Sequence, residues 1–420
     1  MMKRVLYLVV VGFFVSSGAI AAGMPTAKPE DEGFSPEKLA ALSTHFQGYV
    51  DDGKLAGLTT LVARHGRVVH FKTYGAQDKA AGVPTADDTL FRIYSMTKPI
   101  TGTAMMMLWE EGKYRLDDPV SKYLPSFRHQ QVFAGAEEGE KIKTVPVQRE
   151  ATIRDLMRHT AGLTYGYFGD TPVDRVYRAS GMFDRKNDLK AVVKELGEQP
   201  LLYQPGDAWV YSLATDVQGR LIEVLSGQSL TEFFQNRIFG PLKMSDTSFQ
   251  VRGDQRGRFA EVYGIDKEKG LTAYRGDFYR DFAEVPTFLS GGGGLVSTTE
   301  DYWRFVQMIA NGGALDGVRL LKPETVAMMS RDQLPESLQG IAGGKAGLGF
   351  GLNFAVVKDV EKNGGFGREG EFFWGGMANT LFWIDPQEDI VAILMTNVMP
   401  SGIFPLRNDM RKYVYEALVE

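Results

Sequence analysis

The sequence predicts an α+β fold, an α/β sandwich in which both chain ends form one antiparallel sheet flanked by helices and the middle forms a mainly helical second lobe. Three observations predict it: strand-like patterns near the N-terminus, helix-like patterns through the middle, and strand-like patterns again toward the C-terminus. A ligand site is then expected in the cleft between the two lobes, because such clefts are common positions for binding sites.

The first strands are predicted at residues 58–64 and 68–74. Both runs are rich in β-branched and aromatic residues, and His65-Gly66 lies near the point where they join. Glycine readily adopts the backbone conformation of a tight turn, so the two runs predict a β-hairpin.

The middle of the chain carries the helical patterns. Each pattern ends at or near a glycine, as many helices do. The predicted helices cover residues 152–160, 188–196, 214–225 and 301–310. They support a helical lobe between the two groups of strands.

Toward the C-terminus the pattern returns to strands and ends in one amphipathic helix, at residues 405–418. The predicted strands cover residues 348–357, 371–375, 380–384 and 389–395, with a turn at 385–388. The expected domains are residues 1–22 as a signal peptide, residues 23–94 plus about 300–420 as the sheet domain, and about 95–299 as the helical domain.

The N-terminus has the pattern of a secretory signal peptide. A basic start at Lys3-Arg4 precedes a short apolar run and an Ala-x-Ala cleavage site at Ala19-Ile20-Ala21. The alternative is a membrane anchor, but about eleven apolar residues are fewer than the roughly twenty that a spanning helix needs. We expect export to the periplasm or the medium, with no stable membrane anchor.

Composition narrows the function classes. The 420 residues are 44% hydrophobic and 24% charged, as in ordinary globular proteins, and the net charge of -5 gives no reason to expect a nucleic-acid partner. The chain contains no cysteine, which excludes disulfides, thiolate metal sites and a cysteine nucleophile. The oligomeric state is not readable from the sequence.

The strongest chemical signal is Ser95-Met96-Thr97-Lys98, at the start of a helix-forming run. If Ser95 opens that helix, Lys98 lies one turn later on the same face and sets an amine beside the hydroxyl. A desolvated lysine can activate a serine nucleophile or assist the group that does. The same pattern occurs at Ser35 to Lys38, where Ser35 is interpreted as an ordinary helix N-cap with Pro36 at the first helical position.

The second signal is Tyr211, in a turn before the helix-like stretch from residue 214. A phenol can act as a base at neutral pH only if a nearby cation stabilises the phenolate, and Lys98 could be that cation. The alternative is that Tyr211 is an amphipathic packing residue among 17 tyrosines.

The third signal is Trp374-Gly375-Gly376-Met377, on a predicted strand. Two glycines in a strand weaken its packing and often mark a place where another group approaches the backbone closely. That group could be a substrate. The alternative is a bulge with Trp374 in the core.

Other catalytic mechanisms and ligand-binding motifs have little support in the sequence. There is no Gly-x-Ser-x-Gly pentapeptide, and all five histidines precede Tyr211, which excludes a late triad histidine. Among them, His159 is interpreted as a helix-end residue that supports the fold. No metal-ligand motif is present, and Gly291 to Gly294 lacks the ending of a phosphate-binding loop, so this run predicts close backbone packing beside the cleft.

With these three motifs in order, the chain resembles the serine β-lactamase (class C-like) and penicillin-binding-protein superfamily, in particular its family VIII carboxylesterases. Further matching segments are residues 116–125, 159–163 and 291–298, so the resemblance covers nearly the whole chain from residue 58 onward. It implies that Ser95 is the acylated nucleophile, Lys98 its partner and Tyr211 the base. It also implies an oxyanion hole formed by the backbone N–H groups of Ser95 and Met377.

Two departures from the β-lactamase pattern favour esters over β-lactams. The second motif of those enzymes ends in asparagine where Leu213 stands here, and the third begins with lysine or histidine where Trp374 stands. Both replacements make the pocket more apolar, so Leu213, Trp374, Gly375 and Gly376 are expected to contact the substrate.

The sequence therefore predicts a cofactor-independent serine hydrolase whose small-molecule substrate is a carboxyl ester of short acyl chains, with β-lactam hydrolysis as a side activity. The alternatives are a class C-like β-lactamase or a D-alanyl carboxypeptidase or transacylase. From another class, the chain could be a non-catalytic binding protein on the same fold.

Overall fold

The computed structural model describes residues 23–136, 142–341 and 346–419. The predicted signal peptide at residues 1–22 lies outside the described residues. Within the described ranges, no helix combines the length and the hydrophobicity that a membrane crossing requires.

The helices are concentrated in the middle of the chain, with one long helix near each end. Their bounds are α1 Pro36–Asp51, α2 Thr97–Glu110, α3 Ile153–Met157, α4 Pro172–Ala179, α5 Leu189–Glu198, α6 Ala214–Ser226, α7 Leu230–Phe234, α8 Gly240–Leu242, α9 Thr299–Ala310, α10 Pro323–Met329 and α11 Leu406–Glu416.

The strands belong to one large sheet and several short ladders. Their bounds are β1 Gly57–Arg64, β2 Arg67–Asp78, β3 Val83–Pro84, β4 Phe91–Arg92, β5 Gln131–Ala136, β6 Ile142–Pro146, β7 Tyr263–Asp266, β8 Gly270–Ala273, β9 Val296–Ser297, β10 Ala314–Leu315, β11 Val318–Arg319, β12 Leu348–Phe350, β13 Ala355–Val357, β14 Phe372–Gly375, β15 Leu381–Asp385, β16 Ile390–Thr396 and β17 Val398–Met399.

The large sheet joins the two ends of the chain, as the sequence predicts. It has eight strands in the order β12-β13-β14-β15-β16-β1-β2-β3, and every neighbouring pair is antiparallel. The central contact pairs β1 with β16, with Leu61 opposite Ile393. The α+β architecture, with a mainly helical middle, is confirmed.

Both faces of this sheet are buried because the side chains of its central strands alternate between two hydrophobic cores. On β1, Leu61 packs into the core that contains α2, α6 and α9, whereas Val62 packs into the core that contains α1 and α11. The sheet is therefore a middle layer with helices on each face.

The predicted hairpin between β1 and β2 is confirmed at its turn. His65 and Gly66 have φ of +50° and +72°, the left-handed conformation that two-residue hairpin turns of type I′ require. Ser35 also matches its interpretation as a helix N-cap: its side chain accepts a hydrogen bond from the Lys38 backbone at the start of α1.

One predicted strand is wrong. Residues 348–357 form two short strands, β12 and β13, that pair as a hairpin. The chain reverses because Asn353 takes a left-handed φ of +68° and the Gly351 N–H donates to the Phe354 carbonyl oxygen, 2.8 Å away. Continuous hydrophobicity cannot distinguish one long buried strand from two short ones.

Candidate active site

Ser95 lies in a single 3-10 turn, Tyr94–Met96, directly before α2. The strand before this turn, β4, pairs with β9, with Phe91 opposite Ser297, so the entry to the turn is fixed by a ladder. Tyr94 has φ of +40°, a strained value for a residue with a side chain. The α-helix begins two residues after Ser95, yet Ser95 still lies at its positive N-terminal end.

Lys98 is held beside Ser95, as the spacing predicts. Its side chain is buried, and Nζ donates to Ser95 Oγ at 3.2 Å, to Tyr165 Oη at 2.9 Å and to the Gly292 carbonyl oxygen at 2.6 Å. The three acceptors equal in number the three N–H donors that a lysine head group can offer.

Tyr211 completes a cluster with Ser95 and Lys98. Its hydroxyl donates to Ser95 Oγ at 2.5 Å, and Lys98 Nζ lies 4.6 Å from the centre of its ring. The structure thus brings together three residues that are up to 116 positions apart. The Tyr211 ring is packed by aromatic neighbours, with ring centres 5.2 Å from His159 and 5.5 Å from Trp374.

Tyr165 is a member of this cluster that the sequence reasoning missed. It accepts from Lys98, and its ring centre lies 5.1 Å from that of Tyr211. Burial raises the pKa of Tyr165 well above its ordinary value, and the nearby Tyr211 and Asp216 act in the same direction. It is therefore a neutral phenol. No spacing pattern marks it, because it lies in an irregular segment between α3 and α4.

The segment from Trp374 to Met377 reaches the cavity that contains Ser95. All four of its residues line this cavity, and the half-buried Trp374 belongs to its wall rather than to the interior alone. A Cβ added to Gly376 would collide with Thr380 Oγ1 and with the Ile93 carbonyl oxygen. The chain just before Ser95 is thus one of the groups that approach Gly376 closely, which brings the backbones of Met377 and Ser95 to the same cavity.

Leu213 is not brought to the cavity. It lies at the start of α6 with 4% of its surface exposed, packed in the core, and it is not among the cavity-lining residues. Its expected contact with substrate stays a prediction.

His159 lies just after the end of α3, as predicted for a helix-end residue, and packs behind the cluster. It follows α3 with φ of +57°, is fully buried, and its Nδ1 forms a hydrogen bond of 3.1 Å with Ser212 Oγ. Burial lowers the pKa of His159 well below its ordinary value, and the charge of Lys98 lowers it further. His159 is therefore neutral and fixes the residue next to Tyr211.

The glycine run at residues 291–294 packs closely, as predicted. A Cβ on Gly291 would lie 2.8 Å from the Thr215 carbonyl oxygen, and one on Gly292 would lie 2.7 Å from Asp216 Oδ2. This close approach to α6 places the Gly292 carbonyl oxygen against Lys98.

The cavity has a volume of about 930 Å³, within the usual range for small-molecule sites. Its other wall is aromatic: Phe168 and Phe278 stack with ring centres 5.8 Å apart, and Phe168 is 52% exposed. These two residues come from irregular segments more than 100 positions apart, so no local pattern predicts that they meet. Within the described residues, no group of three or more His, Asp or Glu side chains is arranged to hold a metal ion.

The chain is similar to several known proteins. Protein Rv1367c of Mycobacterium tuberculosis is 37% identical over 359 residues, covering 84% of this chain and 88% of that protein. Esterase EstB of Burkholderia gladioli is 30% identical over 400 residues, covering 90% and 95%. The solved structure of EstCE1, described as a hydrolase with promiscuous acyltransferase activity, superposes with a TM-score of 0.74 at 28% identity, covering 90% of this chain and 99% of that one.

The family model described as Beta-lactamase matches residues 42–415, which include the sheet strands, Ser95, Lys98, Tyr211 and the segment at Trp374. The chain therefore belongs to the Beta-lactamase family.

Proposed function

We propose that this protein is a serine esterase that cleaves carboxyl esters through an acyl-enzyme on Ser95. One observation carries the proposal: Ser95 Oγ lies within hydrogen-bond distance of both Lys98 Nζ and Tyr211 Oη, and Ser95 lines a large cavity with an aromatic wall. The naming of EstB as an esterase and of EstCE1 as a hydrolase supports the same activity.

In the proposed acylation, the Tyr211 phenolate, stabilised by Lys98, takes the proton of Ser95 as Oγ attacks the ester carbonyl carbon. The carbonyl becomes an oxyanion, for which the backbone N–H groups of Ser95 and Met377 are the proposed donors. When the tetrahedral intermediate collapses, the C–O bond to the alcohol breaks. Tyr211 gives its proton to the departing alkoxide and returns to the phenolate.

Deacylation repeats the same steps with water as the nucleophile. Tyr211 takes a proton from water, the hydroxide adds to the acyl carbon, and the bond to Ser95 Oγ breaks as Tyr211 returns the proton to Oγ. The products are a carboxylic acid and the free enzyme. No step in this cycle requires a cofactor.

Carboxyl esters are preferred over β-lactams in this proposal because of Trp374. An indole at the start of the third motif contributes an apolar face to the cavity wall, where a β-lactamase places a cation. The proposed substrate is a small-molecule ester, with short acyl chains accepted and slow β-lactam cleavage as a side activity.

Acyl transfer is the second candidate. A cavity of about 930 Å³ has room for an acyl group on Ser95 together with an alcohol acceptor. EstCE1 is described as having promiscuous acyltransferase activity, which supports this branch. An alcohol would then take the acyl group in place of water, with Tyr211 again accepting the proton.

We also propose that the protein is exported. The support is the pattern of residues 1–22 in the sequence: a basic start, a short apolar run and small residues before the expected cleavage position.

The test is the initial rate of hydrolysis of p-nitrophenyl acetate and of a chromogenic cephalosporin by the wild type, Ser95→Ala and Ser35→Ala. We expect rapid ester and slow cephalosporin hydrolysis, both abolished in Ser95→Ala and unchanged in Ser35→Ala, the serine of the other Ser-x-x-Lys sequence. Faster cephalosporin hydrolysis would make the protein a β-lactamase. Full ester hydrolysis by Ser95→Ala would overturn the proposal.

A further inference from the structure

Asp216 is a buried carboxylate beside the catalytic cluster that the proposed mechanism does not use. It lies in the first turn of α6, with 1% of its surface exposed. Oδ1 accepts from Ser290 Oγ at 2.6 Å and from the Gly292 N–H at 3.2 Å. Oδ2 is also buried, and it has no hydrogen-bond partner among the described residues. An ionised carboxylate that is buried with one oxygen unbonded destabilises the fold unless a nearby opposite charge compensates it.

The compensating charge is Lys98, on the other side of Gly292. The Gly292 N–H donates to Asp216, and the carbonyl oxygen of the same residue accepts from Lys98 Nζ. Within the described part of the chain, Lys98 has no carboxylate within ion-pair distance, although its side chain is buried. The two opposite charges are thus separated by one residue of backbone.

The surroundings of Asp216 contain few other titratable groups. Lys98 faces Asp216 from α2, and Tyr165 faces it from the segment between α3 and α4. Gly292 lies close to both Asp216 and Tyr165, because a Cβ added to it would be 2.7 Å from Asp216 Oδ2 and 3.2 Å from Tyr165 Oη. The glycine run adds only neutral donors, Ser290 and Gly292. Burial raises the pKa of Asp216, while the Ser290 hydroxyl, the Lys98 charge and the Gly292 N–H oppose that rise.

We propose that Asp216 is a positioning residue for the reaction: an ionised carboxylate that fixes the Gly292 carbonyl group against Lys98 and supplies the buried counter-charge that keeps Lys98 an ammonium. This inference rests on the proposed esterase function. It assigns separate tasks to two residues, because a lysine held as an ammonium during the reaction cannot take the Ser95 proton. Tyr211 is then the base, and Lys98 stabilises its phenolate.

The first test is the pH dependence of kcat/KM for p-nitrophenyl acetate in the wild type, Asp216→Asn and Asp301→Asn. Asparagine keeps the size and one acceptor oxygen but removes the charge. Loss of the counter-charge lets Lys98 release its proton more easily, so the alkaline limb of the Asp216→Asn profile should move to lower pH by about one unit. The matched control is Asp301→Asn, because Asp301 is also a buried carboxylate and accepts hydrogen bonds from the Thr247 hydroxyl and the Asp246 N–H. This variant should leave the alkaline limb of the pH profile in place.

A uniform loss of kcat/KM at every pH in Asp216→Asn would show a purely structural role and overturn the proposal. An unchanged profile would overturn it as well.

The second test needs neither esterase activity nor a folded Asp216→Asn variant. Lys98→Met removes the ammonium and leaves Asp216 without its counter-charge, so the folded-state pKa of Asp216 should rise and stability should be lost as pH increases. The difference in Tm between wild type and Lys98→Met is therefore expected to be larger at pH 8 than at pH 5. An equal difference at both pH values would contradict the proposal while leaving the esterase function to be judged by its own assay.

Discussion

The polar and the aromatic sides of the Ser95 cavity are built in opposite ways. On the polar side, Lys98 is buried and its Nζ is held by three hydrogen bonds. On the aromatic side, Phe168 is 52% exposed and stacks on Phe278, which comes from a different irregular segment. The first side is held by buried hydrogen bonds, and the second is a partly exposed apolar surface.

This difference indicates that the polar side carries out proton transfer and the aromatic side binds the substrate. Proton transfer needs groups held within hydrogen-bond distance, which regular elements and buried bonds provide. Recognition of an apolar group needs area and shape, which loop residues can provide without fixed hydrogen bonds. Variants on the polar side should therefore lower kcat, whereas variants on the aromatic side should alter substrate preference.

Tyr211→Phe should have the largest effect among the following variants. It removes the proposed base but keeps the ring that packs between His159 and Trp374. We expect kcat for p-nitrophenyl acetate to fall by about 10² to 10⁴-fold with little change in KM. The control is Tyr203→Phe, at an exposed tyrosine, which should retain wild-type kcat. Wild-type activity in Tyr211→Phe would exclude Tyr211 as the base.

Phe168→Ala tests the aromatic side and should have a smaller, selective effect. We expect kcat/KM for an ester with a naphthyl group to fall about 10-fold, because stacking and apolar contact with this ring are lost. The value for p-nitrophenyl acetate should change little. Tyr203→Ala is the matched control, since Tyr203 is also exposed but does not line the cavity. Equal losses on both esters would show that Phe168 has no role in selecting substrate.

The smallest expected effect concerns stability behind the polar side. His159 has a folded-state pKa below its ordinary value, so the unfolded chain binds a proton in the range where the folded chain does not. Its contribution to stability is present above about pH 6.5 and is lost as pH falls, by up to about 1.4 kcal/mol per pH unit. His159→Gln should flatten the dependence of unfolding free energy on pH between 6.5 and 5, measured by urea denaturation. An identical slope in both proteins would contradict this assignment.

The parts of the site that the sequence could predict are those with local signals. Ser95 and Lys98 lie one turn apart, so their proximity follows from helix geometry, and Tyr211 is marked by the turn before α6. Residues that meet only through tertiary packing give no such signal. Tyr165, Asp216 and Phe168 reach the site because separate segments cross there.

The same limit applies to the fold. The β1–β2 hairpin was predictable because its turn residues and both strand patterns are adjacent in the chain. The division of residues 348–357 into β12 and β13 depends on the left-handed conformation of Asn353, whose side chain donates to the Lys98 carbonyl oxygen. That long-range contact selects the turn, and the local hydrophobic pattern does not reveal it.

The most direct test of the central claim is intact-protein mass spectrometry during turnover of a p-nitrophenyl ester, followed by peptide mapping. Acid quenching in the first turnovers should trap a species heavier by one acyl group minus one hydrogen, with the added mass on the peptide that contains Ser95. The mass increase should be absent in Ser95→Ala. An acyl group on another residue, or ester hydrolysis without any acylated intermediate in a single-turnover experiment, would contradict the claim that Ser95 is the nucleophile.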